Sequence, residues 1–122
     1  MFGEVIRAIA QRYSVSVLLL WSPGDADNPM HPGDDDKARA IVESCAGLPL
    51  VACSTETLAR LIAALSLCDC VVCADGGAMH LAAALDKPIV CFFGDSSPDR
   101  WHPWKTRHEL LQAPSRDVRD LS

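Results

Sequence analysis

Short apolar runs alternate with helical segments along most of the chain, and this alternation most limits the fold that the chain can adopt. An apolar run of about four to eight residues bounded by turn residues is typical of a strand buried in a sheet. Because a predicted helix separates most of the strands from the next, the strands are expected to run mostly parallel, with helices covering both faces of the sheet. The predicted strands are residues 14–21, 50–53, 69–74, 88–93 and 108–112.

Three other segments carry apolar residues at the spacing of one helix face. Ser54 is the predicted N-cap of the third of these helices. A fourth helix, residues 78–85, is rich in small apolar residues, whereas 22–36 and 94–107 are predicted loops. The three apolar stripes are Phe2, Val5, Ile6, Ile9 and Ala10; Ala38, Ile41, Val42 and Cys45; and Leu58, Leu61, Ile62 and Leu65.

The predicted fold class is therefore α/β, a Rossmann-like and mostly parallel sheet with helices on both faces. At 122 residues the chain has the size of one domain. Ligands of such sheets bind at the carboxyl ends of the strands. The loops 22–25, 75–77 and 94–98 share that edge with the chain just before Ser54, so we expect a ligand there.

The turn Asp75-Gly76-Gly77 joins a predicted strand to a predicted helix and has the character of half a nucleotide-diphosphate site. A helix N-terminus leaves backbone N–H groups unpaired and carries about half a positive charge, which suits a phosphate. Gly76 and Gly77 have no side chain to keep an anion from those amides, and Ala78 extends the row of main-chain donors. The alternative for the two glycines is a tight turn that needs positive φ.

Two polar side chains, Asp75 and His80, flank this turn. His80 is predicted to donate to a phosphate oxygen or a sugar hydroxyl and to help stabilise charge as a diphosphate leaves. A helix N-terminus favours the neutral imidazole until a phosphate arrives. The alternative for His80 is a half-buried histidine bonded to the neighbouring loop, and for Asp75 it is an N-cap carboxylate.

Small polar residues follow the next predicted strand. Gly94, Ser96 and Ser97 are predicted to line the diphosphate, although a structural turn closed by Pro98 explains them nearly as well. Trp101 and Trp104 are predicted to pack over the last strand rather than to stack on a base or to face another domain.

Charge and cysteine content argue against several functions. The net charge is −5, with Lys+Arg 11 against Asp+Glu 16 and no basic run, so no nucleic-acid partner is expected. Most of the six cysteines lie in apolar runs, which indicates reduced thiols and the cytoplasm. Cys70 and Cys73 would face opposite sides of a strand, which argues against zinc. Residues 34–36, all aspartates, are interpreted as first-turn helix charges, and neither metal nor cofactor is expected.

The runs DGGAMHLAAAL (75–85) and KPIVCFFGDSSP (87–98) together resemble the signature of the heptosyltransferases, glycosyltransferase family nine. The family pattern is Asp-Ser/Thr-Gly-x-x-His, a small-residue helix, a Pro-initiated strand and Phe-Gly-Pro-Thr. The likeness is dense over 54–98 and looser ahead of it. Gly76 replaces the family's hydroxyl residue and Asp95 replaces its proline, which changes the polar groups at the ligand edge.

The resemblance implies one half of a GT-B fold. Residues 1–122 would form the C-terminal, nucleotide-sugar-binding domain, truncated at both ends and lacking the N-terminal acceptor domain. The implied reaction is metal-independent, inverting transfer of a sugar from an ADP-heptose-like donor to the lipopolysaccharide core. The catalytic base would lie in the absent domain, so the chain alone is expected to be inactive.

The same resemblance implies roles for single residues. Asp75 would accept hydrogen bonds from sugar hydroxyls of the donor, and His80 would stabilise the transition state. Asp25 would lie near the nucleoside, where a carboxylate pairs well with ribose hydroxyls. Cys53 and Ser54 would lie beside the adenine.

Two alternative functions stay open, namely another GT-B-like nucleotide-sugar enzyme such as an epimerase, and a non-catalytic nucleotide-binding or interaction module. Expected partners are the nucleotide-sugar donor, the lipopolysaccharide core through the missing domain, and a second copy in a homodimer, since surface left bare by the absent half favours association. The apolar run 15–21 is too short to span a bilayer. The expected location is cytoplasmic, with peripheral attachment at the inner face of the bacterial inner membrane left open.

Overall fold

The structure is a computed structural model, and it describes residues 1–121. The chain divides into two compact units, Met1–Arg60 and a second that begins at Leu61. Each unit contains its own parallel sheet, with two strands in the first and three in the second. Within the described part of the chain, no helix is both long and apolar enough to cross a membrane.

The first unit alternates helices and strands. Strands β1 and β2 pair in parallel, with Val17 opposite Leu50 and Trp21 opposite Ser54. The apolar stripes predicted for the two helices face inward at Ile6, Ala38 and Cys45, which are buried. The elements are α1 (Phe2–Arg12), β1 (Val17–Trp21), α2 (Asp35–Ser44) and β2 (Leu50–Ser54).

The second unit is a parallel three-stranded sheet in the order β3-β4-β5. Strand β4 is central and is the most deeply buried, with Ile89, Cys91 and Phe93 almost inaccessible to solvent. Met79 and Ala82 of α4 are also fully buried. The elements are α3 (Leu58–Ser66), which begins just ahead of the unit, β3 (Val71–Ala74), α4 (Gly77–Ala84), β4 (Ile89–Phe93), α5 (Pro98–Trp101), β5 (His108–Gln112) and a 3₁₀ turn (Val118–Asp120).

Both sheets are parallel throughout, which confirms the predicted α/β class and all five predicted strands. Two helices extend into predicted loops. Helix α2 begins at Asp35, because carboxylates in a first turn suit the helix dipole. Helix α5 begins at Pro98, whose fixed φ favours the first helical position.

The predicted N-cap of α3 is wrong. Ser54 is the last residue of β2, and Thr57 caps the helix instead, with its Oγ1 accepting from the N–H of Arg60 at 3.1 Å. The start of the predicted buried stripe also differs, because Leu58 is 63% exposed whereas Leu65 is buried.

The prediction that two tryptophans pack over the last strand is wrong as well. Trp101 is 54% exposed and Trp104 is 69% exposed. The buried residue of this loop is Pro103, which is almost inaccessible to solvent. The short helix α5 and the turn after it place the proline inside, so both indoles lie at the surface.

All six cysteines are unpaired. Cys45 and Cys91 are buried and Cys70 is exposed. Desolvation, reinforced by the neighbouring Cys91, raises the pKa of the Cys73 thiol to about 12, so this thiol is protonated near neutral pH. No group of three or more possible metal ligands occurs among residues 1–121.

Candidate functional site

The predicted phosphate turn lies at the carboxyl end of the sheet in the second unit. Strand β3 ends at Ala74, and the N–H of Asp75 donates to the carbonyl of Phe92 on β4 at 3.0 Å. Helix α4 then begins at Gly77, with Gly76 as its N-cap. The turn is therefore tied to the central strand, and the N-terminus of α4 lies at that edge.

The two glycines do not serve a tight turn with positive φ. Gly76 has φ 162° and ψ −176°, which is extended backbone, and the glycines of the described chain in the left-handed region are Gly24 and Gly47. A Cβ added at Gly76 or Gly77 would meet nothing within 4 Å. The space beside both glycines is open, as an approaching ligand requires.

Unpaired main-chain donors lie beside this open space. The N–H groups of Gly76, Gly77 and Ala78 have no acceptor among the residues that the structure describes, whereas Met79 N–H donates to the Gly76 carbonyl at 3.2 Å. The alternative role of Asp75 as N-cap carboxylate is wrong, since Gly76 occupies the cap without a side-chain bond. The half-buried Asp75 lies immediately before these donors.

His80 lies in the first turn of α4 and is exposed. Its ring makes an edge contact with Trp101, with ring centroids 6.4 Å apart and planes at 62°. No hydrogen bond joins the imidazole to another residue in the described range. The alternative of a half-buried histidine bonded to a neighbouring loop is therefore wrong.

The loop after β4 is held by a residue that the sequence analysis missed. Gln112, the last residue of β5, donates through Nε2 to the Gly94 carbonyl at 2.6 Å and to the Ser96 carbonyl at 3.2 Å. Gln112 lies opposite Phe93 in the register of the two strands. The sequence signal that could have identified Gln112 is its position, since it is a polar residue at the end of a predicted strand beside the predicted site.

In the first unit, Asp25 lies in the loop that follows β1 and is exposed. Its carbonyl accepts from Asn28 at 3.3 Å and from Gly33 at 2.9 Å, which folds the loop back on itself. Gly33 is buried where the loop crosses the backbone of Gly24. The Asp25 side chain is thus presented to solvent near the carboxyl end of β1.

Asp35 anchors the same loop. Its Oδ1 accepts from the indole N–H of Trp21 at 2.7 Å, and its Oδ2 accepts from the N–H of Gly24 at 2.9 Å. These bonds, that of Trp21 first, lower the pKa of the Asp35 carboxyl below its ordinary value. The neighbouring aspartates form exposed pairs, Asp34 with Lys37 at 2.7 Å and Asp36 with Arg39 at 3.0 Å.

Asp35→Asn is expected to lower the thermal midpoint of unfolding, because an amide accepts through only one of the two atoms that Asp35 uses. The loss should vanish in acid. The folded pKa is lowered, so the contribution of the carboxylate is present above its unfolded value of 3.8 and disappears as the pH falls further. Asp36→Asn is the matched control and should change little at either pH. Equal midpoints for the two variants at pH 7, measured by circular dichroism, would contradict this anchor.

The remaining two predicted residues lie at the end of β2. Ser54 donates through Oγ to Glu56, and this bond lowers the pKa of the Glu56 carboxyl. The Sγ of Cys53 lies 4.0 Å from Nη2 of Arg60. Both side chains are half-buried.

The predicted residues thus fall into two groups, one in each unit. The carboxyl end of the three-stranded sheet brings together Asp75, Gly76, Gly77, Ala78, His80, Gly94 and Ser96, and the carboxyl end of the two-stranded sheet carries Asp25, Cys53 and Ser54. A cavity of about 340 Å³ at the amino end of the three-stranded sheet, and another of about 380 Å³ beside α2, contain none of these residues. Each group therefore lies at the carboxyl end of the sheet of its own unit.

Parallel sheets with crossover helices and a donor-rich turn at the strand ends define a Rossmann-like protein. This fold also occurs in part of two solved glycosyltransferases. It matches the solved Escherichia coli heptosyltransferase WaaC with ADP at a TM-score of 0.81 and 22% identity, covering 99% of this chain and 34% of that one. It also matches a glycosyl transferase family 9 structure from Veillonella parvula at 0.73 and 21% identity, covering 92% of this chain and 29% of that one.

Residues 1–120 match the family model described as glycosyltransferase family 9 (heptosyltransferase), and the chain belongs to this family. Over 55 residues it is 45% identical to lipopolysaccharide heptosyltransferase 2 of Salmonella typhimurium and 43% identical to the protein of that name from Escherichia coli. Each match covers 45% of this chain and 16% of the relative. The resemblance to heptosyltransferases is thereby confirmed.

Proposed function

We propose that this chain is the donor-binding domain of a heptosyltransferase, which binds an ADP-heptose-like sugar nucleotide for transfer to the lipopolysaccharide core. An N-terminal acceptor domain would complete the enzyme, and the chain alone would bind the donor without turning it over. Family membership supports the class of reaction. The Escherichia coli heptosyltransferase WaaC was solved with ADP, which supports the choice of nucleotide.

One observation carries the proposal, namely the row of unpaired amides at Gly76, Gly77 and Ala78 beside open space. A diphosphate is the ligand that such a row suits, because its oxygens accept several main-chain bonds and its charge is stabilised by the helix dipole. The chain has a net charge of −5, so local donors rather than overall charge must hold the anion.

The same donors suit the chemistry of transfer. An acceptor hydroxyl attacks the anomeric carbon and inverts it, the bond from that carbon to the phosphate oxygen breaks, and the nucleoside diphosphate leaves with the bonding electrons. A carboxylate of the N-terminal domain would take the hydroxyl proton. The amides and His80 would hold the charge that develops on the leaving phosphate, and no metal or other cofactor is needed for this role.

The likeness to the family suggests roles for the other predicted residues. Asp75 would accept from sugar hydroxyls of the donor, and Gly94 and Ser96 would line the diphosphate. By resemblance to the family alone, Asp25 would pair with a ribose, and Cys53 and Ser54 would lie beside a base. We also infer a cytoplasmic location with attachment at the inner face of the bacterial inner membrane, and a homodimer of the isolated chain.

Calorimetric titration of the chain with ADP, AMP and adenosine tests the proposal. ADP should bind at least about tenfold more tightly than AMP, because each charge-assisted bond from an amide contributes about 1.5–3 kcal/mol. An ADP-sugar should bind without being consumed until an N-terminal acceptor domain is added. Equal affinity for ADP and AMP would contradict the phosphate site, and absence of heat with every nucleotide would favour an interaction module.

A further inference from the structure

We propose that Trp101 is a positioning residue that orients the His80 imidazole toward the diphosphate of a bound nucleotide. The inference rests on the proposed function, because it assigns His80 to the phosphates. It adds a residue of α5 to a site otherwise built from the strand ends and α4.

His80 needs support from outside its own helix. Its ring is exposed and has no hydrogen bond in the part of the chain that the structure covers. A free side chain loses rotamer freedom when a ligand orders it, and that loss weakens binding. A neighbouring residue that orders the His80 ring before the ligand binds reduces this loss of entropy on binding.

Trp101 is placed to be that neighbour. The centroid distance of 6.4 Å and the angle of 62° lie in the range of favourable edge-to-face ring pairs. The indole belongs to a fixed backbone, since the Trp101 N–H donates to the Ser97 carbonyl at 3.1 Å. The preceding Ser96 carbonyl is in turn held by Gln112 of β5 at 3.2 Å. The bond from Gln112 thus holds the loop against the sheet, and the loop holds the backbone of Trp101. The indole in turn restricts the rotation of the His80 imidazole.

Trp104 provides a matched control. It belongs to the same loop and is also exposed, but its ring lies 5.8 Å from the ammonium of Lys105 rather than beside His80. Trp104→Ala removes the same kind of side chain from the same surface. The ADP affinity of this variant therefore shows the effect of removing an exposed indole that does not contact His80.

The test is a double-mutant cycle on ADP affinity. Trp101→Ala should weaken ADP binding about three- to tenfold, and Trp101→Phe should restore most of it, because a phenyl ring keeps an aromatic neighbour. Trp104→Ala should leave the affinity unchanged. In a His80→Ala background, Trp101→Ala should have an effect below about twofold, since the ring that it positions is gone.

A second measurement does not depend on binding. In the nuclear magnetic resonance spectrum of the chain, the ring protons of His80 should carry an indole ring-current shift. Trp101→Ala should remove this shift, and Trp104→Ala should retain it. If the ring protons of His80 carry no such shift in the unsubstituted chain, the two rings are not in contact and the inference is overturned.

The outcomes separate this inference from the proposed function. If the unsubstituted chain binds no ADP, the proposed function fails and the inference fails with it. If ADP binds and Trp101→Ala behaves like Trp104→Ala, only the inference is overturned. It is likewise overturned if Trp101→Ala weakens binding equally with and without His80, because the indole would then contact the nucleotide directly.

Discussion

Gly77→Val is expected to lower the affinity of the chain for ADP at least about 100-fold, because the new side chain would fill the space in front of two or three donor amides. The thermal midpoint should stay within about 3 °C of the unsubstituted chain. The Cβ meets nothing within 4 Å, and Gly77 has no positive φ that valine could not adopt. Valine is also no worse than glycine in a helix.

Ala84→Val is the control for this substitution. It adds the same branched side chain at the other end of the same helix, also at an exposed position. ADP binding should be unchanged there. Titration calorimetry and a thermal melt of both variants decide the matter. A large fall in midpoint for Gly77→Val with ADP affinity retained would show that the glycine serves the fold and not the ligand.

Gly33→Ala, in contrast to Gly77→Val, should strongly lower the stability of the fold. A Cβ at Gly33 would lie 2.2 Å from the carbonyl oxygen of Gly24, 2.3 Å from its carbonyl carbon and 2.5 Å from its Cα. These are backbone atoms, so no side chain can rotate away. Overpacking of this kind costs about 3 kcal/mol. The thermal midpoint should fall by roughly 10–15 °C.

Gly77→Ala is the matched control for Gly33→Ala, because the same methyl group enters open space there. Its midpoint should equal or slightly exceed that of the unsubstituted chain. Urea denaturation followed by circular dichroism measures both variants. An unchanged midpoint for Gly33→Ala would mean that the loop after β1 does not cross itself at Gly24.

Strand β5 shows what local pattern can predict, since its bounds, residues 108–112, are those expected from the sequence. Helix α5 shows the opposite case. Four residues are too few for a helical period, so Pro98–Trp101 was predicted as loop. The exposure of Trp101 and Trp104 was missed for a related reason. The apolar character of an indole leads a sequence-based prediction to bury it. The actual exposure of the two indoles depends on how helix α5 and Pro103 pack.

The residues of the candidate site also divide into those that the sequence predicted and one that it missed. Asp75, the two glycines and His80 were predicted because a strand, a glycine turn and a helix are adjacent in the chain and need no distant partner. Gln112 was missed because it reaches Gly94 and Ser96 across a strand register that only the folded sheet establishes.

The order of strands and helices, the parallel class and the phosphate turn are encoded locally, in apolar periodicity and in residues that follow one another along the chain. Tertiary packing alone decided which neighbour each polar group meets. It gave Asp35 its two donors and placed Trp101 beside His80. The two bonds of Asp35 join residues at least 11 positions apart along the chain. The energies of these hydrogen bonds and ring contacts depend on distances and angles in the folded chain. The periodicity of the sequence does not contain that information.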